Sequence, residues 1–297
     1  MGNERDVEGY LVITNPGAGS SEQAEEALAA LRGHGEVDVR ETDGPASLSA
    51  ALDATARRVV VAAGGDGTLH AVLAALHRGG LLGEVTVGLL PLGTGNDFAR
   101  CLGLPLSPAA AARVVGAGHT RPMDLVVDDE GRVVVNNVHL GAGAEAARRA
   151  SGWKERLGRP GYLVGALLAA VRPPVLRLRV EVDGAVVCTG DSGVLQVAIG
   201  NGASVGGGTE LVPDAEPGDG LLDVVISTPR SRLAFVGYAR DLIRGRHHHR
   251  ADVTCVRGRS VTVSGEEFWC SADGETSGPV RRRRWRVAPA AYRMIVP

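Results

Sequence analysis

The chain has 297 residues, of which 44% are hydrophobic, 22% charged and only 3% aromatic, with a formal net charge of -2. That length is generous for one domain and comfortable for two, and the apolar fraction is enough to bury a sizeable core. The near-neutral charge and scarce rings argue against a broad nucleic-acid surface, which needs excess cation and stacking aromatics.

The four cysteines, Cys101, Cys188, Cys255 and Cys270, form no CxxC pair and have no histidine at zinc-ligand spacing, so they read as incidental or buried thiols. The opening MGNERDVEGY lacks the apolar run of a signal peptide. The longest helical apolar stretch, GYLVGALLAAV at 161–171, is shorter than the about 20 residues of a bilayer span. The expectation is a cytoplasmic protein that meets the inner membrane face only peripherally.

Strand and helix signals alternate over the first 115 residues or so. GYLVITN (9–15) is a short apolar strand. SEQAEEALAALRG (21–33) is a helix, capped by Ser21 and stopped by Gly33. EVDVRET (36–42) alternates as a strand, and ASLSAALDATA (46–56) reads as a helix. RVVVAA (58–63) is a continuously apolar, β-branched strand of the kind covered on both faces. TLHAVLAALHRG (68–79) is a helix with its apolar face at Leu69, Val72, Leu73 and Leu76, and VTVGLL (85–90) is a second buried strand. The order predicts a doubly wound parallel sheet.

From about residue 120 the pattern changes to short strands and tight turns. DLVVDDEGRVVVNNV turns at Asp129-Glu130-Gly131, and LRLRVEVDGAVVCTG turns at Asp183-Gly184. GVLQVAIGN, LLDVVIST, ADVTCVRG, RSVTVSG and RRWRVAP follow, interrupted by helices near 160–172 and 230–245. This predicts an antiparallel sandwich or barrel, with the boundary near GAGHTRP (116–122).

Three glycine-rich loops follow the strands of the first part: NPGAG (15–19), GGDGT (64–68) and PLGTGNDFAR (91–100), the last two opening helices. Ligands of open α/β sheets bind beyond the carboxyl ends of the strands. Glycine there allows close backbone approach, and a helix N-terminus offers free N–H groups to phosphate. None of the three loops fits GxGxxG or GxxxxGK[ST], so neither a dinucleotide fingerprint nor a P-loop is present. Phosphate charge would then fall to backbone dipoles, to hydroxyls such as Thr68 and Thr94, and to a metal.

These motifs, together with VAIGNGASVGGGTELVPDAEPGDGLLDV (197–224) and SADGETSG (271–278), resemble the soluble bacterial diacylglycerol kinases and their YegS-like lipid kinase relatives, nearly end to end. GGDGT alone also occurs in NAD kinases; joined to GTGNDFAR and a late DGE it is specific. The resemblance implies an ATP-binding α/β catalytic domain at 1–120, joined by 287–297, and a β-sandwich lipid-substrate domain at 121–286, with the active site in the cleft between them. It assigns Asp273 as general base toward the lipid hydroxyl, with Glu275 orienting it or helping to hold a catalytic metal. Asn15, Thr42, Gly64, Gly65, Asp66, Gly67, Thr68, Thr94, Asn96 and Asp97 match nucleotide-site positions. A structural Mg²⁺ falls on the Asp219 carboxylate and the carbonyls of Glu216 and Leu221, and Asp66, Asp97 and Asp124 match a water-and-metal network. His70 stands where the family often has Asn, and VNNVHLGAGAEA (135–146) replaces a segment usually richer in aromatics.

The implied activity is transfer of the γ-phosphate of ATP, with Mg²⁺, to a lipid hydroxyl, most simply diacylglycerol to phosphatidic acid. Alternatives left open are a kinase of another alcohol (phosphatidylglycerol, a sphingoid base, a non-lipid metabolite), an NAD kinase, and a nucleotide-binding regulator without catalysis. The expected partners are a lipid substrate at the membrane surface, no nucleic acid, and a second copy in a homodimer. HHH (247–249) reads as a solvated loop before a metal site. RRRR (281–284) reads as alternating arginine on a strand before a lipid-attracting patch. The helix at 161–172, with Trp153 and Arg156 nearby, either touches the bilayer or packs on the sandwich.

Overall fold

The computed structural model describes residues 9–16, 20–54, 58–141, 144 and 175–297. The predicted helix at 160–172, Trp153, Arg156 and residues 17–19 of the first glycine loop lie outside them. The chain divides into two compact units. The first holds the chain to Leu125 with Gly206–Gly208 and Pro289–Pro297; the second holds Val126–Val205 and Thr209–Ala288.

In the first unit β1 (Tyr10–Thr14), α1 (Ser21–Arg32), β2 (Val37–Glu41), α2 (Pro45–Asp53), β3 (Val59–Gly64), α3 (Asp66–Arg78) and β4 (Thr86–Pro91) alternate as the sequence predicts. The strands are all parallel, in the order β2-β1-β3-β4. β3 is buried along its whole length, which is why it reads as an unbroken apolar run. Leu69, Val72, Leu73 and Leu76 of α3 are fully buried, as their spacing requires. The cap of α1 is Ser20 rather than Ser21: its side chain accepts from Gln23 N at 3.3 Å. α4 (Asp97–Cys101) and α5 (Pro108–Ala117) follow β4. The last strand returns beside β4, pairing Arg293 with Thr86 and Met294 with Val87 in parallel. Ile295 thereby joins the core formed by Tyr10, Val61, Leu90 and Val115.

The second unit is antiparallel. β5 (Thr120–Asp128) turns into β6 (Val133–Val134), followed by β7 (Asn137–Gly141), β8 (Leu178–Val182), β9 (Ala185–Cys188), β10 (Gln196–Gly200), β11 (Ser204–Val205), β12 (Thr209–Glu210) and β13 (Leu222–Ser227). Then come α6 (Arg232–Ile243), β14 (Val253–Gly258), β15 (Ser260–Ala272) and β16 (Glu275–Ile295). The last two are far longer than the short strands expected. The first half of β15 pairs with β8 and its end with β7, with register shifts between Ser264 and Cys270. A bulge lets one strand serve two layers, so what reads as several short pieces is one bent strand. Trp285, Phe268, Leu178, Val263 and Val224 fill the core between them. Among the described residues no helix is long and apolar enough to cross a membrane.

Candidate active site

In the first unit β2 lies on one side of β1 and β3 and β4 on the other, so the sheet changes direction between β1 and β3. Ligands of such sheets bind at that point, beyond the strand ends. β1, β3 and β4 end there, and the predicted glycines that follow β3 and β4 lie among the described residues. α3 starts at Asp66, so Gly67 and Thr68 lie in its first turn rather than in a loop. Its N-terminus carries the positive end of the helix dipole.

The glycines divide by task. A methyl on Gly64 would strike the Thr68 side chain, and one on Gly93 would strike the Gly65 backbone. A Cβ on Gly65 would stand 3.1 Å from Gly93 Cα. Gly65 and Gly93 serve packing of one loop on the other, and Gly64 makes room for Thr68 within its own turn. Gly67 alone of the four has nothing within 4 Å and is exposed, so it is the position where a ligand can approach the backbone. Of the glycines of GGDGT, Gly67 has the open backbone face, while Gly64 and Gly65 are also required by packing.

The acids of this unit hold backbone. Asp66 accepts from Asp97 N at 3.0 Å and Phe98 N at 2.9 Å, capping α4 from α3. Asp97, 6% exposed, accepts from Gly207 N at 3.0 Å and Gly208 N at 2.7 Å. Gly206, Gly207 and Gly208 all have positive φ, which explains the run of three. Asp124, 1% exposed, accepts from Ala290 N at 2.8 Å and so ties down the returning strand. Thr42, at the end of β2, is buried and gives its hydroxyl to Thr14 O at 3.3 Å. Asn96 adopts a left-handed conformation (φ 52) and donates to Gly93 O at 2.7 Å, holding the 93–96 turn. Asn15 and Thr94 are exposed at the same strand ends.

Asp273 occupies the turn between β15 and β16 with φ 48. Its carboxylate accepts from Val135 N at 2.7 Å, Asn136 N at 2.9 Å and Asn137 N at 3.1 Å. Three donors fix both oxygens in one orientation. Glu275, two residues on, is exposed. The segment that receives Asp273 is itself braced. Asn136 and Asn137 both donate to Ser204 O, at 2.8 and 3.0 Å, and Asn201 donates to Val135 O at 2.7 Å. Sequence reasoning missed these three asparagines; the doubled Asn in VNNV, next to a buried strand, was the available signal. His139 on β7 is 5% exposed, and burial pushes it down to about 4 against the pull of Asp273.

A divalent ion on the 216–221 loop would have to displace a guanidinium from Asp219. Arg257 of β14 forms an ion pair with Asp219 and a second with Asp223 at 2.9 Å. A guanidinium thus holds the carboxylate expected to ligate magnesium. The Glu216 carbonyl accepts from Gly218 N at 2.8 Å, and Leu221 N donates to Asp219 at 3.0 Å. Asp124 belongs to the first unit and these residues to the second. Among the described residues no group of three or more His, Cys, Asp or Glu side chains could hold a metal. HHH is a short 3-10 turn rather than a solvated loop throughout: His247 is fully buried and pairs with Leu211 O at 2.9 Å, His248 is half-buried and His249 is exposed. In RRRR the alternation holds, with Arg283 buried against Asp128 and Glu130 while its neighbours are exposed.

The first unit thus has a parallel sheet with glycine loops and an open helix N-terminus at its switch point, features that suit phosphate, and the second carries a fixed carboxylate. Residues 9–127 match the diacylglycerol kinase catalytic domain, and residues 136–296 match the YegS C-terminal NAD kinase beta sandwich-like domain. A probable lipid kinase YegS-like protein of Pseudomonas aeruginosa is 34% identical over 98% of this chain and 95% of its own length. A diacylglycerol kinase of Mycobacterium tuberculosis is 31% identical over 96% of this chain and 94% of its own. A diacylglycerol kinase structure from Bacillus anthracis superposes with a TM-score of 0.76 at 20% identity, over 99% of this chain and 98% of that one, a likeness of fold. The chain belongs to the diacylglycerol kinase and YegS-like lipid kinase family, and is a kinase.

Proposed function

We propose that the protein moves the γ-phosphoryl group of ATP to a lipid hydroxyl, with diacylglycerol as acceptor and phosphatidic acid as product. The observation that carries this reading is the Asp273 carboxylate, held by three backbone donors at an exposed turn. In this reading the three donors contribute orientation: they hold the carboxylate in one position from which it takes the proton of an alcohol. The hydroxyl oxygen forms a bond to the γ-phosphorus as its proton passes to Asp273. The bond from that phosphorus to the β–γ bridging oxygen breaks, and ADP leaves with the electron pair. The phosphates rest on the first turn of α3, where Gly67 leaves the backbone open. Mg²⁺ enters this reading with the nucleotide, as part of that substrate.

The test is transfer from labelled ATP to a mixed-micelle panel of diacylglycerol, phosphatidylglycerol, monoacylglycerol and sphingosine, with NAD as control. Label in phosphatidic acid is expected. Label in another lipid keeps the chemistry and changes the acceptor; no transfer by protein that binds ATP overturns it. Asp273→Asn should lower kcat by about 10²–10⁴-fold, the usual worth of a general base, while nucleotide binding measured by titration stays within error. Full turnover by that variant would remove Asp273 from the role.

A further inference from the structure

The outer face of α6 has no protein partner among the described residues. Leu233 is 85% exposed, Ile243 83% and Val236 62%, the three most exposed large apolar side chains described, and all lie on this one helix. Positions 233, 236, 240 and 243 are three, four and three residues apart, so Leu233, Val236, Arg240 and Ile243 form one stripe. Arg232 and Arg244 flank it and are exposed. From Arg230 to Arg246 there are five arginines against one acid, Asp241, in a chain whose net charge is -2. Asp241 pairs with Arg250 at 2.8 Å and with Arg240 at 3.0 Å, which leaves Arg232 and Arg244 as the cations beside the stripe without an acidic partner among the described residues.

The opposite face is anchored. Tyr238 is buried, with its ring edge-on to His247, and Leu242 packs on the core around Leu211 and Val225. Arg250 donates to Ala234 O at 3.1 Å, and a Cβ on Gly237 would stand 2.8 Å from that guanidinium. The helix is therefore held firmly with its apolar, cationic stripe outward. A water-facing helix does not need such apolar exposure, and an apolar protein groove would not need the two cations that flank it.

We propose that α6 is an interfacial helix that docks the protein on an anionic lipid bilayer, its apolar side chains entering the headgroup boundary and its arginines pairing with lipid phosphates. Apolar area and charge attraction together set such binding. The inference rests on the lipid-acceptor reading for its purpose, but its test needs no catalysis. Co-sedimentation of the whole protein with phosphatidylglycerol-rich vesicles is compared with phosphatidylcholine vesicles, for the natural chain and for two variants. One is Leu233→Ser with Val236→Ser and Ile243→Ser; the other is Arg232→Gln with Arg240→Gln and Arg244→Gln. Binding to the anionic vesicles alone is expected, weakened by salt. The arginine variant should lose about 100-fold in partitioning, on the order of fivefold per charge, and the serine variant at least tenfold, on the order of a few CH₂ groups left in water. Both should keep ATP binding and thermal stability, since the substituted side chains face solvent. Unchanged vesicle binding by both variants overturns the proposal. So does a vesicle-indifferent protein whose dimer dissociates in the serine variant, since the stripe would then be a contact between copies. Loss of lipid phosphorylation with vesicle binding intact would count against the acceptor reading and leave α6 standing.

Discussion

Glycine is the residue on which the nucleotide half turns. Gly64, Gly65 and Gly93 are small because their neighbours leave no room, and Gly67 is small with room to spare. The two kinds should respond oppositely. Gly93→Ala drives a methyl into the Gly65 backbone and should cost about 1–3 kcal/mol, the usual price of overpacking, seen as a lower midpoint in urea. Gly67→Ala, in the first turn of a helix, should leave stability equal or higher by up to about 1 kcal/mol while weakening ATP binding in titration. A Gly67→Ala protein that binds ATP normally would move the phosphate site elsewhere. The motif GGDGT was legible as a strand-to-helix turn, but its division of labour was not, because a packing glycine and a ligand-facing glycine are written with the same letter. The acids show the same limit. Asp66, Asp97 and Asp124 were expected around a metal, and in the structure each spends oxygen atoms on backbone amides from distant parts of the chain.

At the scale of elements, amphipathic helices and buried strands were readable because burial leaves a period. β3 and α3 came within two residues of their predicted limits. β15 did not, since its outward residues change layer midway and break the alternation. The hairpin from β5 to β6 carries an ion pair that the RRRR run concealed. Arg283 and Asp128 are each 4% exposed in their side chains and lie 3.2 Å apart. Asp128→Ala leaves Arg283 with Glu130 at 2.7 Å but removes the acceptor of the Glu130 and Arg132 amides, so it should cost about 1–3 kcal/mol in chemical unfolding, with Arg281→Ala as a neutral exposed control. On β7, His139 is held neutral by burial, at about 4 against an ordinary 6.5. The unfolded chain takes up this proton first as pH falls. Its contribution is thus whole above 6.5 and is lost as pH falls from 6.5 toward 4. His139→Asn should flatten the stability profile across that window; an unaltered difference between variant and natural chain from pH 7 to 4 would count against it.

At the scale of the molecule, the two textures in the sequence correspond to a parallel and an antiparallel unit, and both family matches follow that division. What no local pattern reveals is that the first unit is stitched from three pieces. Gly206–Gly208 and Pro289–Pro297 belong to it, held by Asp97 and Asp124 respectively. The two acids are ordinary in sequence, and their partners are backbone atoms, which have no sequence signature.

The return of the last strand to β4 has a consequence for how the protein is made. When β4 leaves the ribosome its outer edge has no neighbour, and the pocket for Ile295 is empty. The strand that closes both is synthesised roughly two hundred residues later, and closing a loop of that length is slow. The parallel sheet therefore waits, with one bare edge, while the whole sandwich is translated. A nascent chain halted before Pro289 should be open to protease within the first unit, and release of the remaining residues should be what seals it.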